Sequence, residues 1–218
     1  MSYLISSKYQ LEDIALKYGV LPFFRNEIPG FSVQEMAPPD LLFAPEEESG
    51  GCWEWKGPVI QNQTLAYGKF FNRKAGFVSL DLLPEFINYR RMAYPVTADS
   101  TEGLILEIIR EQEGVTSTKL KKIIHADLPS CNRRKSLEGP LQRLQMAGRL
   151  LIADFIYKRT SRGEPYGWGV ALYSTPEIWF EREFPLNLTL KDAYKQLIHK
   201  ILQKNPGISE QQLAKLIK

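Results

Sequence analysis

Residues that could bind a polyanion are concentrated in one stretch of the chain. Residues 115–162 contain 11 lysines and arginines against 3 acidic residues, whereas residues 1–100 contain 9 against 12. The whole chain of 218 residues has a net charge of only +3. A concentrated basic segment is typical of a surface that binds nucleic acid. The alternative is a basic face that contacts only solvent.

Within this segment, side chains suited to phosphate and base contacts occur at regular positions. Leu137, Leu141 and Leu144 have the spacing of a buried helix stripe, so Gln142 and Arg143 face outward. In the major groove, arginine can read guanine and glutamine can read adenine, although both could be ordinary exposed helix residues. The other cations are placed to contact phosphates. The predicted nucleic-acid-binding residues are Arg133, Arg134, Lys135, Gln142, Arg143, Lys158, Arg159 and Arg162.

Three helices followed by a β-hairpin are predicted to position these side chains. The spacing of Leu104–Ile109 indicates the first helix, Thr116 or Ser117 can cap the second, and Gly148 ends the third. The strands that follow are Leu150–Lys158 and Trp168–Tyr173, joined by a loop rich in arginine, glycine and proline. This order of elements is that of a winged helix-turn-helix.

The first 98 residues predict a mixed α/β unit with a small, aromatic-rich antiparallel sheet. A helix over Leu11–Tyr18 ends at Gly19, and a second helix covers Leu82–Met92. Between them lie a loop over residues 29–51 and three predicted strands: Cys52–Val59, Leu65–Phe71 and Gly76–Leu80. Asn72–Lys74 is the predicted hairpin turn between the last two strands. Trp53 and Trp55 would share one strand face, either as part of a core or as a platform for a stacked base.

The C-terminal residues repeat part of the winged-helix pattern. Gly207-Ile208-Ser209 matches Gly114-Val115-Thr116 at an offset of 93 residues, and an amphipathic helix follows each string. Ser209 and Gln212 are predicted to form a capping box for the last helix. Chance is the alternative, because such helix starts are common. The predicted fold class is therefore α+β, with an N-terminal α/β unit at 1–98, a winged helix-turn-helix at 99–175, and C-terminal helices at 176–218 that begin a second helix-turn-helix.

Several classes of protein are disfavoured by composition. Two cysteines and two histidines do not fill a familiar zinc site, and no phosphate-binding glycine loop or dinucleotide motif is present. We therefore expect no metal and no cofactor. The apolar runs are far shorter than the ~18 residues of a membrane span, and no secretory signal is visible, so a cytoplasmic protein without a membrane partner is expected.

Several strings together resemble one known family. Trp53-Glu54-Trp55-Lys56, the strings Ala66–Phe71 and Lys74–Ser79, the helix through Pro84–Arg91 and the third-helix string Ser136–Leu150 are similar to those of the AlkZ-related proteins. These are relatives of the AlkZ-like DNA glycosylases, which unhook interstrand crosslinks. The resemblance implies tandem winged-helix modules around a basic DNA-binding channel and a role in DNA repair.

The catalytic motif of the active glycosylases has no counterpart at the comparable position. That motif is Gln-apolar-Gln or Gln-apolar-Asp near the N-terminus, and its side chains are thought to position the attacking water. Here the stretch Gly19–Phe24 contains no Gln, Asp or Glu, and Gln61-Asn62-Gln63 has a polar centre and lies well downstream. No catalytic residue is therefore assigned.

Three hypotheses about function follow. The first is a noncatalytic winged-helix protein that binds double-stranded DNA. The second is an active DNA glycosylase on alkylated or crosslinked bases, with Glu27 or Glu54 as its catalytic carboxylate. The third is a protein-interaction adaptor or transcriptional regulator, which forms a homodimer through its C-terminal helices.

Overall fold

The computed structural model describes residues 4–44, 50–127, 136–163 and 165–217. Two small antiparallel sheets and a set of mostly short helices make up the described chain, which confirms the predicted α+β class. The helices are α1 (Lys8–Tyr18), α2 (Val33–Met36), α3 (Cys52–Gln61), α4 (Leu83–Ala93), α5 (Thr101–Glu111), α6 (Ser117–Asp127), α7 (Glu138–Met146), α8 (Pro176–Trp179), α9 (Leu190–Lys204) and α10 (Glu210–Ile217). The strands are β1 (Val20–Pro22), β2 (Leu65–Phe71), β3 (Lys74–Ser79), β4 (Val115–Thr116), β5 (Leu151–Arg159) and β6 (Pro165–Ser174).

The first sheet has the strand order β1-β3-β2. Strands β2 and β3 form the predicted hairpin, and its turn contains Asn72 and Arg73 at φ values of 47° and 65°. Helix α1 ends where the sequence predicts, because Gly19 adopts a φ of 75° and its N–H donates to the carbonyl of Ala15. Alternate residues of these strands pack against α1, α3 and α4, so this half of the chain has a dense aromatic core.

The predicted strand Cys52–Val59 is wrong, because this segment forms α3. Its buried residues are Cys52, Lys56, Val59 and Ile60, which follow the helical spacing i, i+4, i+7 and i+8. Two tryptophans in four residues favour a strand by local propensity, but burial along one helix face overrides that preference. Trp53 and Trp55 consequently do not share a strand face, and β1 completes the sheet instead. The loop predicted at 29–51 likewise contains the short helix α2.

The winged-helix prediction is confirmed in its order and pairing. Helices α5, α6 and α7 precede the β5–β6 hairpin, and β4 adds to it in the order β4-β6-β5. Oγ1 of Thr116 accepts from the backbone N–H of Lys119 at 3.2 Å and so caps α6. The three helices bury their own apolar cluster, which includes Ile105, Leu120 and Leu144.

The C-terminal helices pack onto the first half of the chain. Ser209 and Gln212 form the predicted capping box, with side-chain oxygens at 3.3 Å and 3.0 Å from the partner backbone nitrogens. Leu213, Leu216 and Ile217 are at most 1% exposed, in a core shared with α4, α9 and the first sheet. These apolar side chains are therefore covered by their own chain. The predicted three-part division of the chain stays a prediction.

Strand β5 joins the winged helix to the N-terminal half. Leu151 and Ala153 belong to the core shared with α4, while Ile152 and Phe155 pack on the core around α1 and α3. Nε2 of Gln61 adds a hydrogen bond to the carbonyl of Ala153 at 2.8 Å. The base of the hairpin is thus fixed against the N-terminal half, whereas its far end is exposed.

Candidate nucleic-acid interface

The wing, residues 151–174, ends in a basic turn. Lys158 and Arg159 are the last residues of β5, Arg162 lies in the turn, and all three side chains are exposed. Nη1 of Arg159 donates to the carbonyl of Gly163 at 2.8 Å, and Gly163 has a φ of 85° that favours glycine. The glycine allows this conformation of the turn, which holds Arg159 at the tip of the wing.

The three wing cations lack an acidic partner in the part of the chain that the structure describes. None of the ion pairs found there, which join nitrogen and oxygen within 4.0 Å, involves Lys158, Arg159 or Arg162. A surface cation whose charge is not neutralised by protein is suited to displace a counterion from a phosphate. The tip of the wing can therefore contact a polyanion without breaking an ion pair between described residues.

The predicted recognition helix α7 is covered on one flank by the first sheet. Gln145 is 1% exposed, and its Oε1 accepts from the backbone N–H of Lys69 at 2.9 Å. Nε2 of Gln142 donates to the carbonyl of Arg73 at 3.2 Å. Gln142 is therefore half-buried, and its amide nitrogen already has a protein acceptor.

Arg143 reaches the surface of α7 as one half of an ion pair. Its side chain is 65% exposed, and Nε and Nη2 lie 2.6 Å and 2.5 Å from Oε1 of Glu102. The side chain of Glu102 is mostly buried, at 16% exposure. Arg143 can contact solvent or ligand on its outer side, while its positive charge is balanced by an acid from α5.

The β2–β3 turn places further cations beside α7 that the sequence did not single out. Arg73 and Lys74 are both exposed there. Nδ2 of Asn72 donates to the carbonyl of Lys215 at 3.0 Å, and Nζ of Lys74 donates to the carbonyl of Arg25 at 3.2 Å. The turn is thus fixed to the rest of the chain. The sequence signal that could have identified these cations is the pair of consecutive basic residues in a predicted hairpin turn.

Helix α6 adds three exposed lysines to the same winged-helix unit. Lys119, Lys121 and Lys122 contribute to the excess of positive charge in residues 115–162. Nζ of Lys119 donates to Oε1 of Gln112 at 2.6 Å. The helix leads into Arg133, Arg134 and Lys135, which lie outside the described residues. No geometry is therefore assigned to those three predicted phosphate contacts.

A cleft lies at the base of the wing, where β5 meets the N-terminal half of the chain. This wing-base cleft has a volume of about 710 Å³ and lies between the start of α1, helix α3 and strand β5. Two carboxylates, Glu54 and Asp154, line it together with the aromatic side chains of Tyr9, Trp55 and Tyr157. The hydroxyl of Tyr157 donates to Oε2 of Glu54 at 2.6 Å, which fixes that carboxylate.

A buried lysine lies beside this cleft. Nζ of Lys56 lies 3.9 Å from the ring centroid of Trp53 and 4.3 Å from that of Phe155, and it donates to the carbonyl of Trp53. Burial lowers the pKa of Lys56 from 10.5 to about 8, and the nearby charge of Glu54 opposes that shift. The lysine is thus held by two aromatic faces.

The other sequence-predicted catalytic positions are placed differently. Glu27 is exposed in the loop after β1 and lies outside the residues that line the wing-base cleft. In the stretch Gly19–Phe24, the side chains of Val20, Leu21 and Phe23 are fully buried. The stretch that is comparable to the glycosylase motif therefore serves as core in this chain.

Among the described residues, no group of three or more His, Cys, Asp or Glu side chains is arranged to hold a metal ion. In the same ranges, no helix combines the length and the apolar character needed to cross a membrane.

Comparison with known proteins gives one match. Neither the curated proteins nor the solved structures contain a significant match to this chain. A family model described as AlkZ related matches residues 5–218, which is nearly the whole sequence. The match extends over the first sheet, the winged helix and the C-terminal helices alike. The chain therefore belongs to the AlkZ-related family.

Proposed function

We propose that this AlkZ-related protein is a noncatalytic winged-helix protein that binds double-stranded DNA. The observation that carries the proposal is the exposed tip of the wing, where Lys158, Arg159 and Arg162 have no acidic partner among described residues. Family membership supports it, because the AlkZ-like relatives act on DNA. A cytoplasmic location and a role in DNA repair belong to the same proposal.

The contacts of α7 favour phosphate binding over base reading. The amide of Gln142 is bonded to protein backbone, and the guanidinium of Arg143 is paired with Glu102. In this proposal the exposed side of Arg143 contacts a phosphate, and Gln142 contributes a contact at the edge of the major groove of the DNA. Arg133, Arg134 and Lys135, which precede α7 in the sequence, contact further phosphates in this proposal. Such binding depends strongly on salt and weakly on sequence.

Fluorescence anisotropy with a labelled duplex at several salt concentrations tests the proposal. The double variant Arg159→Ala/Arg162→Ala is expected to weaken binding by about 10-fold and to reduce the salt slope by roughly 2, because each lost phosphate contact removes ~0.9. The matched control is Lys191→Ala/Lys195→Ala, which removes two exposed cations from α9 at the other end of the chain. If both double variants lose affinity equally, the wing is not the interface. Absence of binding at ~50 mM salt would reject the proposal altogether.

The buried apolar stretch at the N-terminus supports the noncatalytic part of the proposal. A water-positioning motif needs polar side chains that reach the DNA, and Val20, Leu21 and Phe23 are instead fully buried. The adaptor hypothesis and its homodimer have less support, because Leu213 and Leu216 are already covered by their own chain.

A DNA glycosylase is the second candidate, and the wing-base cleft favours it. The cleft is lined by Glu54 of α3, by aromatic side chains and by Asp154 of β5, the strand that leads to the wing cations. A carboxylate fixed by Tyr157 could orient a water toward a sugar carbon. The assay is release of modified bases from alkylated DNA by the wild type and by Glu54→Gln. Release that Glu54→Gln abolishes, without loss of DNA affinity, would replace the noncatalytic proposal; no release from the wild type would remove this candidate.

A further inference from the structure

A cavity of about 790 Å³ lies beside α7, away from the wing-base cleft. One wall is the segment 93–97, which connects α4 to α5, and the other walls are α7 and the β2–β3 turn. We refer to this cavity as the linker pocket. The side chains that give the pocket its chemical character are Arg73, Tyr94, Val96, Glu102, Arg143 and Met146.

The interior of the linker pocket combines an aromatic ring with apolar walls. Tyr94 follows the last residue of α4 and is 38% exposed, and its N–H donates to the carbonyl of Arg90 at 2.9 Å. Val96 and Met146 are half-buried and supply the apolar surface. An exposed aromatic ring between apolar side chains is the kind of surface on which an unpaired nucleobase stacks.

A buried positive charge lies close to the ring of Tyr94. Arg90 is fully buried, and its guanidinium carbon lies 5.7 Å from the centroid of that ring. Nη2 donates to the carbonyl of Phe70 at 2.6 Å, and no ion pair between described residues includes Arg90. Burial lowers the pKa of Arg90 to about 10, so it stays charged at neutral pH. This charge favours an anionic ligand, because it is little screened by water.

Charged groups at the rim of the pocket are suited to bind the phosphate and the base of a nucleotide. Arg73 is exposed and Arg143 is 65% exposed, so both can contact phosphate. Both short contacts from Arg143 fall on Oε1 of Glu102. The second oxygen, Oε2, has no hydrogen-bond partner in the described ranges and can accept from a base amino group.

We propose that the linker pocket receives a single unpaired nucleotide of the bound DNA. Its base stacks on Tyr94, a base amino group donates to Glu102, and the flanking phosphates contact Arg73 and Arg143. The inference rests on the proposed DNA binding and adds a preference for DNA with an unstacked base.

Three duplexes of one sequence test this inference by fluorescence anisotropy. The first is fully paired, the second has one additional unpaired 2-aminopurine at its centre, and the third has an unpaired abasic nucleotide at that position. The abasic duplex controls for easier bending at an unpaired site, which by itself can increase affinity. The wild type is expected to bind the 2-aminopurine duplex about 10-fold more tightly than either of the others.

Variants of Tyr94 separate the pocket from the rest of the interface. Tyr94→Ala is expected to abolish the preference for the 2-aminopurine duplex over the abasic and paired duplexes, and Tyr94→Phe is expected to retain the preference. Ala93→Met, which narrows the cavity from the end of α4, should also abolish it. Thermal melting of each variant verifies that it is folded.

The outcomes distinguish the two proposals. Equal affinity of the wild type for the 2-aminopurine and abasic duplexes, or a preference that survives Tyr94→Ala, overturns the nucleotide pocket alone. Absence of binding to all three duplexes overturns the proposed DNA binding, and the pocket inference falls with it.

Discussion

At the scale of single residues, cations in this protein are held in two contrasting ways. Those of the wing are exposed and have no acidic partner among described residues, whereas Lys56 and Arg90 are buried between aromatic rings. Burial of a charge has a cost that aromatic faces and backbone carbonyls offset only in part. The buried cations should therefore affect stability, and the exposed ones should affect binding.

Lys56 should make the stability of the protein depend on pH in a defined direction. Below pH 8 both the folded and the unfolded chain hold its proton, so the burial cost is constant. Between about 8 and 10.5 the unfolded chain holds more protons than the folded chain, so stability rises with pH. The shift corresponds to at most roughly 3 kcal/mol.

Urea denaturation of the wild type and of Lys56→Met at several pH values measures this contribution. The unfolding free energy of the wild type should increase relative to that of the variant from pH 8 to pH 10. Burial also raises the pKa of Cys52 to about 11 and that of Tyr67, with the opposite effect on stability. Both proteins share those two groups, so their effects cancel in the difference. Parallel curves would show that Lys56 has an ordinary pKa.

Arg73, which the sequence did not single out, is expected to contact DNA, and this contact can be tested. It has a φ of 65°, a conformation that glycine adopts more easily than arginine. Arg73→Gly should therefore keep or raise the melting temperature, while removal of the guanidinium weakens DNA binding by about 3- to 10-fold. Arg73→Lys, which keeps the charge, is the matched control and should bind nearly as well as the wild type. If Arg73→Gly binds normally, the β2–β3 turn lies outside the interface.

At the scale of elements, the winged helix was predictable and α3 was not. In residues 101–174 the helical spacing, the capping residues and the alternation in the hairpin all indicate the same structure, and the local signals suffice. In α3 the aromatic residues favour a strand, while the burial of Cys52, Val59 and Ile60 against the first sheet favours a helix. Tertiary packing decided between them.

The start of α5 shows how tightly one element constrains another. A Cβ on Gly103 would lie 2.4 Å from the carbonyl oxygens of both Thr97 and Ala98, so the segment before the helix packs directly on its first turn. In an exposed helix, glycine to alanine usually stabilises by ~1 kcal/mol. Here Gly103→Ala should instead destabilise by ~1–3 kcal/mol, because backbone must move.

Chemical denaturation of Gly103→Ala checks this expectation, with Thr101→Ala at the exposed first position of α5 as the control. The control should change stability by less than ~0.5 kcal/mol. Gly103→Ala should also reduce the preference for an unpaired base, since the displaced segment forms a wall of the linker pocket. A stabilised Gly103→Ala variant would show that the backbone of residues 97–98 moves at little cost in free energy.

At the scale of the whole molecule, β5 packs the winged helix against both cores of the N-terminal half. Leu151 and Ala153 pack into one N-terminal core and Ile152 into the other, while α9 and α10 close the first of these cores. The apolar cores therefore extend across the predicted boundaries at residues 98 and 175. We expect the parts to unfold together.

Two probes that report on different parts of the chain test this cooperativity. Trp53 and Trp55 lie in α3, whereas Trp168 lies in β6 and Trp179 ends α8. In a Trp168→Phe/Trp179→Phe background, tryptophan fluorescence therefore reports on α3 in the N-terminal half, while circular dichroism reports on helices throughout. Urea transitions followed by the two probes should coincide. The variant Leu151→Ala, in the strand shared between the parts, should shift both midpoints equally, at a cost of ~2–5 kcal/mol. Separate midpoints would show that the winged helix is an independent domain.

The sequence by itself determined the helices of the winged-helix unit, its hairpin, the capping box at Ser209 and the concentration of positive charge, because each depends on residues close together in the chain. Only the tertiary structure decided that α3 is a helix, that the flank of α7 is covered by the first sheet, and that Glu102 neutralises Arg143. These features depend on contacts between residues far apart in sequence, and no local periodicity or propensity encodes which distant side chain becomes the neighbour. The same physical reason explains why the linker pocket, assembled from the β2–β3 turn, α4, α5 and α7, had no signature in any single segment.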